Sequence, residues 1–99
     1  MRTVTIGGVV YKLAYNLRSL FIYEEIAGHP YKGEKTIDSY VLLFSMLQAN
    51  NEGFSLTFDE FIDACDEDMS IFQEFALVLE EYSKRMSSRV ENKKKAVTQ

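Results

Sequence analysis

Thr3-Val4-Thr5-Ile6-Gly7-Gly8-Val9-Val10-Tyr11-Lys12-Leu13 decides how this chain begins. Two runs rich in β-branched and aromatic residues flank a Gly-Gly pair. A two-residue turn of the favoured hairpin types needs positive φ, which glycine adopts without a Cβ clash. Such a turn pairs Ile6 with Val9, Thr5 with Val10 and Val4 with Tyr11. Val4, Ile6, Val9, Tyr11 and Leu13 then share one apolar face. Thr3, Thr5, Val10 and Lys12 share the other. A lone hairpin is marginal in water, so helices must cover the apolar face.

The residues downstream supply those helices. Asn16 is a good N-cap for a helix over about 16–27. Leu17, Leu20, Phe21, Tyr23, Ile26 and Ala27 are read as its apolar face, with Glu24 and Glu25 outside. Gly28 suits the position after the helix end, and Pro30 prevents continuation. A second helix over 36–49 carries Ile37, Tyr40, Val41, Leu42, Leu43, Phe44, Met46 and Leu47. Only Asp38, Ser45 and Gln48 form a thin polar edge, as expected of a helix buried on most sides.

Thr57 and Glu60 make a capping box for a short helix over 57–65. Asp68 is placed to cap a last helix over 69–91, where Ile71, Phe72, Phe75, Val78, Leu79, Tyr82, Met86 and Val90 keep the helical period. At a rise of about 1.5 Å per residue, a stretch of about 20 helical residues extends roughly 30 Å, so the end of this helix is expected to project beyond a small body. The fold class is therefore α+β, a two-stranded hairpin (3–13) packed on four helices with the last one long. Residues 1–91 form one domain, and 92–99 are read as a flexible basic tail.

Composition narrows the function. The chain has 99 residues, 46% hydrophobic and 26% charged, enough for one globular domain. Its net charge of −4 is unevenly spread. Met1–Lys35 carries five basic and three acidic residues, and Thr36–Ser83 has eleven acidic and no basic ones. Lys84–Gln99 then has six basic residues against Glu91. An acidic body disfavours general nucleic-acid binding, although the basic end could touch a polyanion. No run approaches the roughly 18 apolar residues of a membrane span. Met1–Gly8 lacks the apolar core of a secretory signal, so a cytoplasmic setting is expected.

Catalytic and metal chemistry finds little material. One Cys (Cys65) and one His (His29) allow neither a disulfide framework nor a Cys/His zinc set. The acidic group Asp59, Glu60, Asp63, Asp66, Glu67 and Asp68 fails the calcium-loop template. Counted from Asp66, the sixth position is Ile71 and the twelfth Leu77. Helix capping and a solvated face explain the cluster better. His29 reads as a loop residue and Cys65 as an inert thiol on an apolar face. No phosphate-binding loop or metalloprotease motif occurs. No catalytic residue, cofactor or metal is expected, and the chain is read as a non-enzyme.

The order of these elements resembles a known family. The hairpin Thr3–Leu13 leads into Asn16-Leu17-Arg18-Ser19-Leu20-Phe21-Ile22-Tyr23-Glu24-Glu25-Ile26-Ala27-Gly28. A mostly apolar helix ending Leu47-Gln48-Ala49-Asn50-Asn51 follows, and then Leu56-Thr57-Phe58-Asp59-Glu60-Phe61-Ile62-Asp63-Ala64. Over about residues 3–82 this resembles the small tail assembly chaperones of long-tailed phages and prophages. The resemblance implies a factor in the bacterial host cell that coats the helical tape measure protein and helps bring tail-tube subunits to it. Members of that family often make a longer form by ribosomal frameshifting, and Lys93-Lys94-Lys95 could mark an A-rich slippery stretch; the simpler reading of the same run is a solubilising basic tail.

The family offers no invariant binding motif, so contact residues rest on amphipathicity and on the number of large rings. Seven Phe and six Tyr exceed what so small a body can easily hide. Phe72, Phe75, Leu79, Tyr82 and Met86 on the last helix are the expected partner-binding residues, followed by Tyr40 and Phe44. Two competing readings stand beside the chaperone. One is a small nucleic-acid-binding regulator using the basic tail. The other is a homo-oligomeric structural protein whose seam at Tyr82, Met86 and Val90 closes on itself.

Overall fold

The computed structural model describes the backbone of residues 1–97 and the side chains of residues 1–87. Strands β1 (Arg2–Ile6) and β2 (Val9–Leu13) pair antiparallel, with Ile6 opposite Val9, Thr5 opposite Val10 and Val4 opposite Tyr11. Gly7 and Gly8 both take positive φ (59° and 80°), the backbone of a turn whose twist matches the strands. Val4, Ile6 and Leu13 are buried and Tyr11 is half-buried. Val9 belongs to the same face but adjoins the solvated turn and stays exposed. Helices cover the hairpin as its marginal stability requires, with β2 along α2 and β1 along α4.

Helix α1 (Leu17–Ala27) begins where expected. Asn16 Oδ1 accepts from Ser19 N at 2.9 Å, and Gly28 ends the helix in the left-handed conformation, its N–H donating to Glu24 O. The face it buries differs from the expected one. Ser19 and Tyr23 are buried and Leu20 and Ala27 half-buried, whereas Leu17, Phe21 and Ile26 face solvent. The reason lies at the cap. The Ser19 hydroxyl donates to Asn16 Oδ1 at 2.8 Å, so a polar side chain enters the interior satisfied. The inward row then runs 19–23–27, at four-residue spacing.

Helix α2 (Thr36–Asn50) is the centre of the domain, with Leu42, Leu43, Phe44, Met46 and Leu47 all buried. Two residues of its expected polar edge are buried too. Asp38 accepts from the Lys35 backbone N–H at 3.0 Å, and the Ser45 hydroxyl donates to Val41 O at 2.7 Å. Each therefore brings its partner into the interior. Helix α3 (Phe58–Glu67) starts at the expected capping box, with Thr57 N donating to Glu60 Oε1 (2.9 Å) and Glu60 N to Thr57 Oγ1 (3.1 Å).

Helix α4 (Ser70–Val97) overruns the expected end near residue 91. Asn92–Val97, read from sequence as tail, continue it. Lys and Ala propagate a helix well, no Gly or Pro intervenes, and cations suit its negative end. Thr98 and Gln99 of the expected tail lie outside the described residues. Asp68 caps this helix from two positions before its first residue, accepting from Ser70 N at 2.9 Å and from the Ser70 hydroxyl. Ile71, Phe75 and Val78 seat α4 on the core. The molecule measures 53 × 28 × 25 Å, so its length is about twice its width. Among the described residues no helix is long and apolar enough to cross a membrane.

Candidate partner-binding surface

The seven expected contact residues fall into two groups. Phe44 and Phe75 are only 6% and 1% exposed, and neither ring is available to a partner. Phe44 lies at the centre of an aromatic cluster, with centroids 5.4–5.5 Å from Phe54, Phe58 and Phe61. Phe75 packs against Phe72 at 5.4 Å. Rings that stack edge to face hide one another, which is how so many fit in a small body. Phe21 is the one phenylalanine among the exposed large apolar residues.

The other five keep surface. Tyr40 and Phe72 are half-buried and lie against each other at 5.0 Å, joining α2 to the start of α4. Leu79 and Tyr82 are half-buried, and Met86 is 40% exposed. Phe72, Leu79 and Met86 are spaced by seven residues, so they lie one above another along α4, with Tyr82 beside them. This row is the margin of the face that Phe75 and Val78 bury. One side of it is already packed, and the other is open.

Sequence reading missed a residue of this margin. Tyr15, in the link between β2 and α1, lies against Tyr82 with ring centroids 4.4 Å apart. Tyr15, Tyr82, Arg85 and Met86 border one cleft, and Tyr15 and Arg85 also border its neighbour beside Arg2, Val78 and Glu81. Burial, and then the neighbouring Tyr82, pushes the Tyr15 phenol above its ordinary pKa. No local pattern marks Tyr15, because its position depends on where the hairpin delivers the chain.

The remaining candidates have structural partners. His29 Nδ1 lies 2.9 Å from Pro30 O, and its ring meets Tyr23 edge-on at 5.8 Å. Cys65 is half-buried, and its thiol is pushed up to about 11, first by burial and then by Asp66 and Asp68. In the acidic cluster, Glu60 and Asp68 are held below the usual carboxylate range by their capping bonds to Thr57 and Ser70. Among the described residues no three His, Cys, Asp or Glu side chains come together as a metal set.

What the α4 margin can do is bind another apolar helix or strand along its length. Comparison with protein-family models gives no match, and neither the curated proteins nor the solved structures give one.

Proposed function

We propose that this chain is a non-enzymatic tail assembly chaperone of a long-tailed phage or prophage. It acts in the cytoplasm of the bacterial host, binding the helical tape measure protein and aiding delivery of tail-tube subunits. The observation that carries this reading is the half-open row Phe72, Leu79, Tyr82 and Met86 on α4, with Tyr15 beside it. A helix that repeats apolar residues every seven positions can lie along such a row, its own knobs meeting these. The α+β order of a hairpin and four helices accords with the sequence resemblance.

Weak contacts suit the task. A tape measure rod must be covered before the tube encloses it and uncovered afterwards. Many copies along one rod raise each other's effective concentration, so no single contact need be tight. The eleven acidic residues of Thr36–Ser83 add repulsion between coated rods.

The test is co-purification with a phage tape measure protein, followed by titration of that protein's helical segments. Tyr82→Ala with Met86→Ala is expected to weaken binding at least about tenfold, the effect of losing central apolar anchors. Deleting Asn92–Gln99 should leave it nearly unchanged. Failure to bind the tape measure protein, together with tail-dependent and steeply salt-dependent binding of DNA, would instead establish the regulator reading.

A further inference from the structure

The outward side of α1 carries a pattern that the chaperone reading does not use. Leu17, Phe21 and Ile26 are exposed by 69%, 60% and 48%, and Ile22 is half-buried beside them. Arg18 and Glu25 lie between the two apolar rows, and with Leu17, Phe21 and Ile22 they line a shallow groove. Four apolar side chains around two opposite charges make a costly surface to leave in water.

The order of these six residues is symmetric about the midpoint between Phe21 and Ile22. Leu17 and Ile26 are equidistant from that point, as are Arg18 and Glu25. Arg18 and Glu25 are seven residues apart, two helical turns, and therefore stand one above the other at the middle of the outer face. A second α1 helix laid antiparallel across this face, related by a two-fold axis through the midpoint, sets Arg18 of each copy against Glu25 of the other. Phe21 meets its own copy on one side of the axis, and Ile22 meets its own on the other. Leu17 and Ile26 cover the ends. A parallel arrangement would set Arg18 against Arg18 and is disfavoured.

From this self-complementary charge and apolar pattern we propose that the outer face of α1 is a two-fold interface between two copies of this chain. Isologous contacts of this kind require one patch to complement itself, and this one does. The contact is small, one helix of 11 residues from each copy, so it forms a weak and reversible dimer. Such a dimer presents two α4 margins and doubles the valence of each particle on a rod. The interface shares no residue with the α4 row, so either proposal can fail alone.

Sedimentation velocity on the full chain, from roughly 10 µM to 1 mM, reads the equilibrium directly. The wild type is expected to shift from monomer to dimer across that range. Arg18→Glu and Glu25→Arg should each weaken dimerisation at least tenfold, because each brings like charges together twice. Mixed in equal amounts, the two variants should dimerise again, since each then supplies what the other lacks. Phe21→Lys should be monomeric throughout. A wild type that stays monomeric at 1 mM overturns the proposal. So does a mixture of the two charge variants that stays monomeric, or a Phe21→Lys variant that dimerises like the wild type.

Discussion

The side-chain amide of Asn51 bonds to the backbone of Lys12 as a neighbouring strand would. Lys12 N donates to Asn51 Oδ1 at 2.8 Å, and Asn51 Nδ2 donates to Lys12 O at 2.9 Å. In an antiparallel pair, alternate residues aim both peptide groups away from the partner strand. Lys12 is such a residue, and the end of α2 supplies what a third strand would have given. The second Asn51 proton goes to Leu47 O at 2.9 Å, satisfying a carbonyl at the helix end. Asn50 extends the seam, donating to Ala14 O and Met46 O.

Asn51→Ala removes all three bonds and is expected to cost about 1–2 kcal/mol in urea unfolding, the sum of modest net terms near the surface. Asn51→Asp keeps an acceptor for Lys12 N but turns a carboxylate oxygen toward two carbonyls. It should be at least as destabilising as Asn51→Ala at pH 7 and should recover below about pH 4, when the carboxyl is protonated and can donate. A variant as stable as wild type would mean that the seam is incidental.

At the other strand, Arg2 spans two residues of α4. Its Nη1 lies 2.9 Å from Glu74 Oε2, and its Nε donates to Glu81. The hydrogen bond from Arg2 holds the Glu81 carboxyl below the usual carboxylate range. A carboxyl with a depressed folded pKa stabilises the fold above its unfolded value, near 4.3 for Glu. That contribution is lost as pH falls through the folded value, and Glu60 and Asp68 act with the same sign. Thermal midpoints should therefore decline as pH drops below about 4.5. Arg2→Ala should make the decline shallower, and so should about 1 M salt at the exposed Glu81. An acid limb identical in wild type and Arg2→Ala would exclude Arg2 as its source.

Local signals in the sequence carried the hairpin, its register and the caps, because each rests on neighbours in the chain. Gly7-Gly8, Asn16, Gly28 and the Thr57–Glu60 pair act within four residues of themselves. The face of α1 was not legible in the same way. Its apolar residues run almost all round, and a satisfied Ser19 decided which of them turned inward. Burial of Asp38 and Ser45 likewise depends on bonds to backbone that no hydropathy pattern displays. Tyr15 and Asn51 act over 67 and 39 positions of sequence, distances at which spacing rules say nothing. The seven expected contact residues shared one weakness. Amphipathicity finds the apolar face of a helix but cannot say how much of it the protein's own core will cover, which is why Phe75 is hidden and Met86 is not.

Tyr23 shows the opposite case, a polar group that the core has covered without satisfying. Its side chain is fully buried between Tyr31 and His29, and among the described residues the hydroxyl makes no hydrogen bond of good geometry. Burial raises its pKa first, and the negative charge of Asp38 and the approach of that carboxylate to the hydroxyl add to this. An unpaired buried hydroxyl carries a desolvation cost that the ring does not, so deleting the oxygen should be free or favourable. Tyr23→Phe is expected to leave stability at pH 7 unchanged or to raise it by up to about 1 kcal/mol. The alkaline side gives an independent reading. A phenol with a raised folded pKa contributes stability that is full below its unfolded value, near 10, and is lost as pH rises through the folded value. The wild type should thus lose stability above about pH 10, with Tyr15 acting in the same direction, and Tyr23→Phe should lose less. Destabilisation of Tyr23→Phe by more than about 1 kcal/mol at pH 7 would show that the hydroxyl has a bonding partner after all, with Asp38 the nearest candidate.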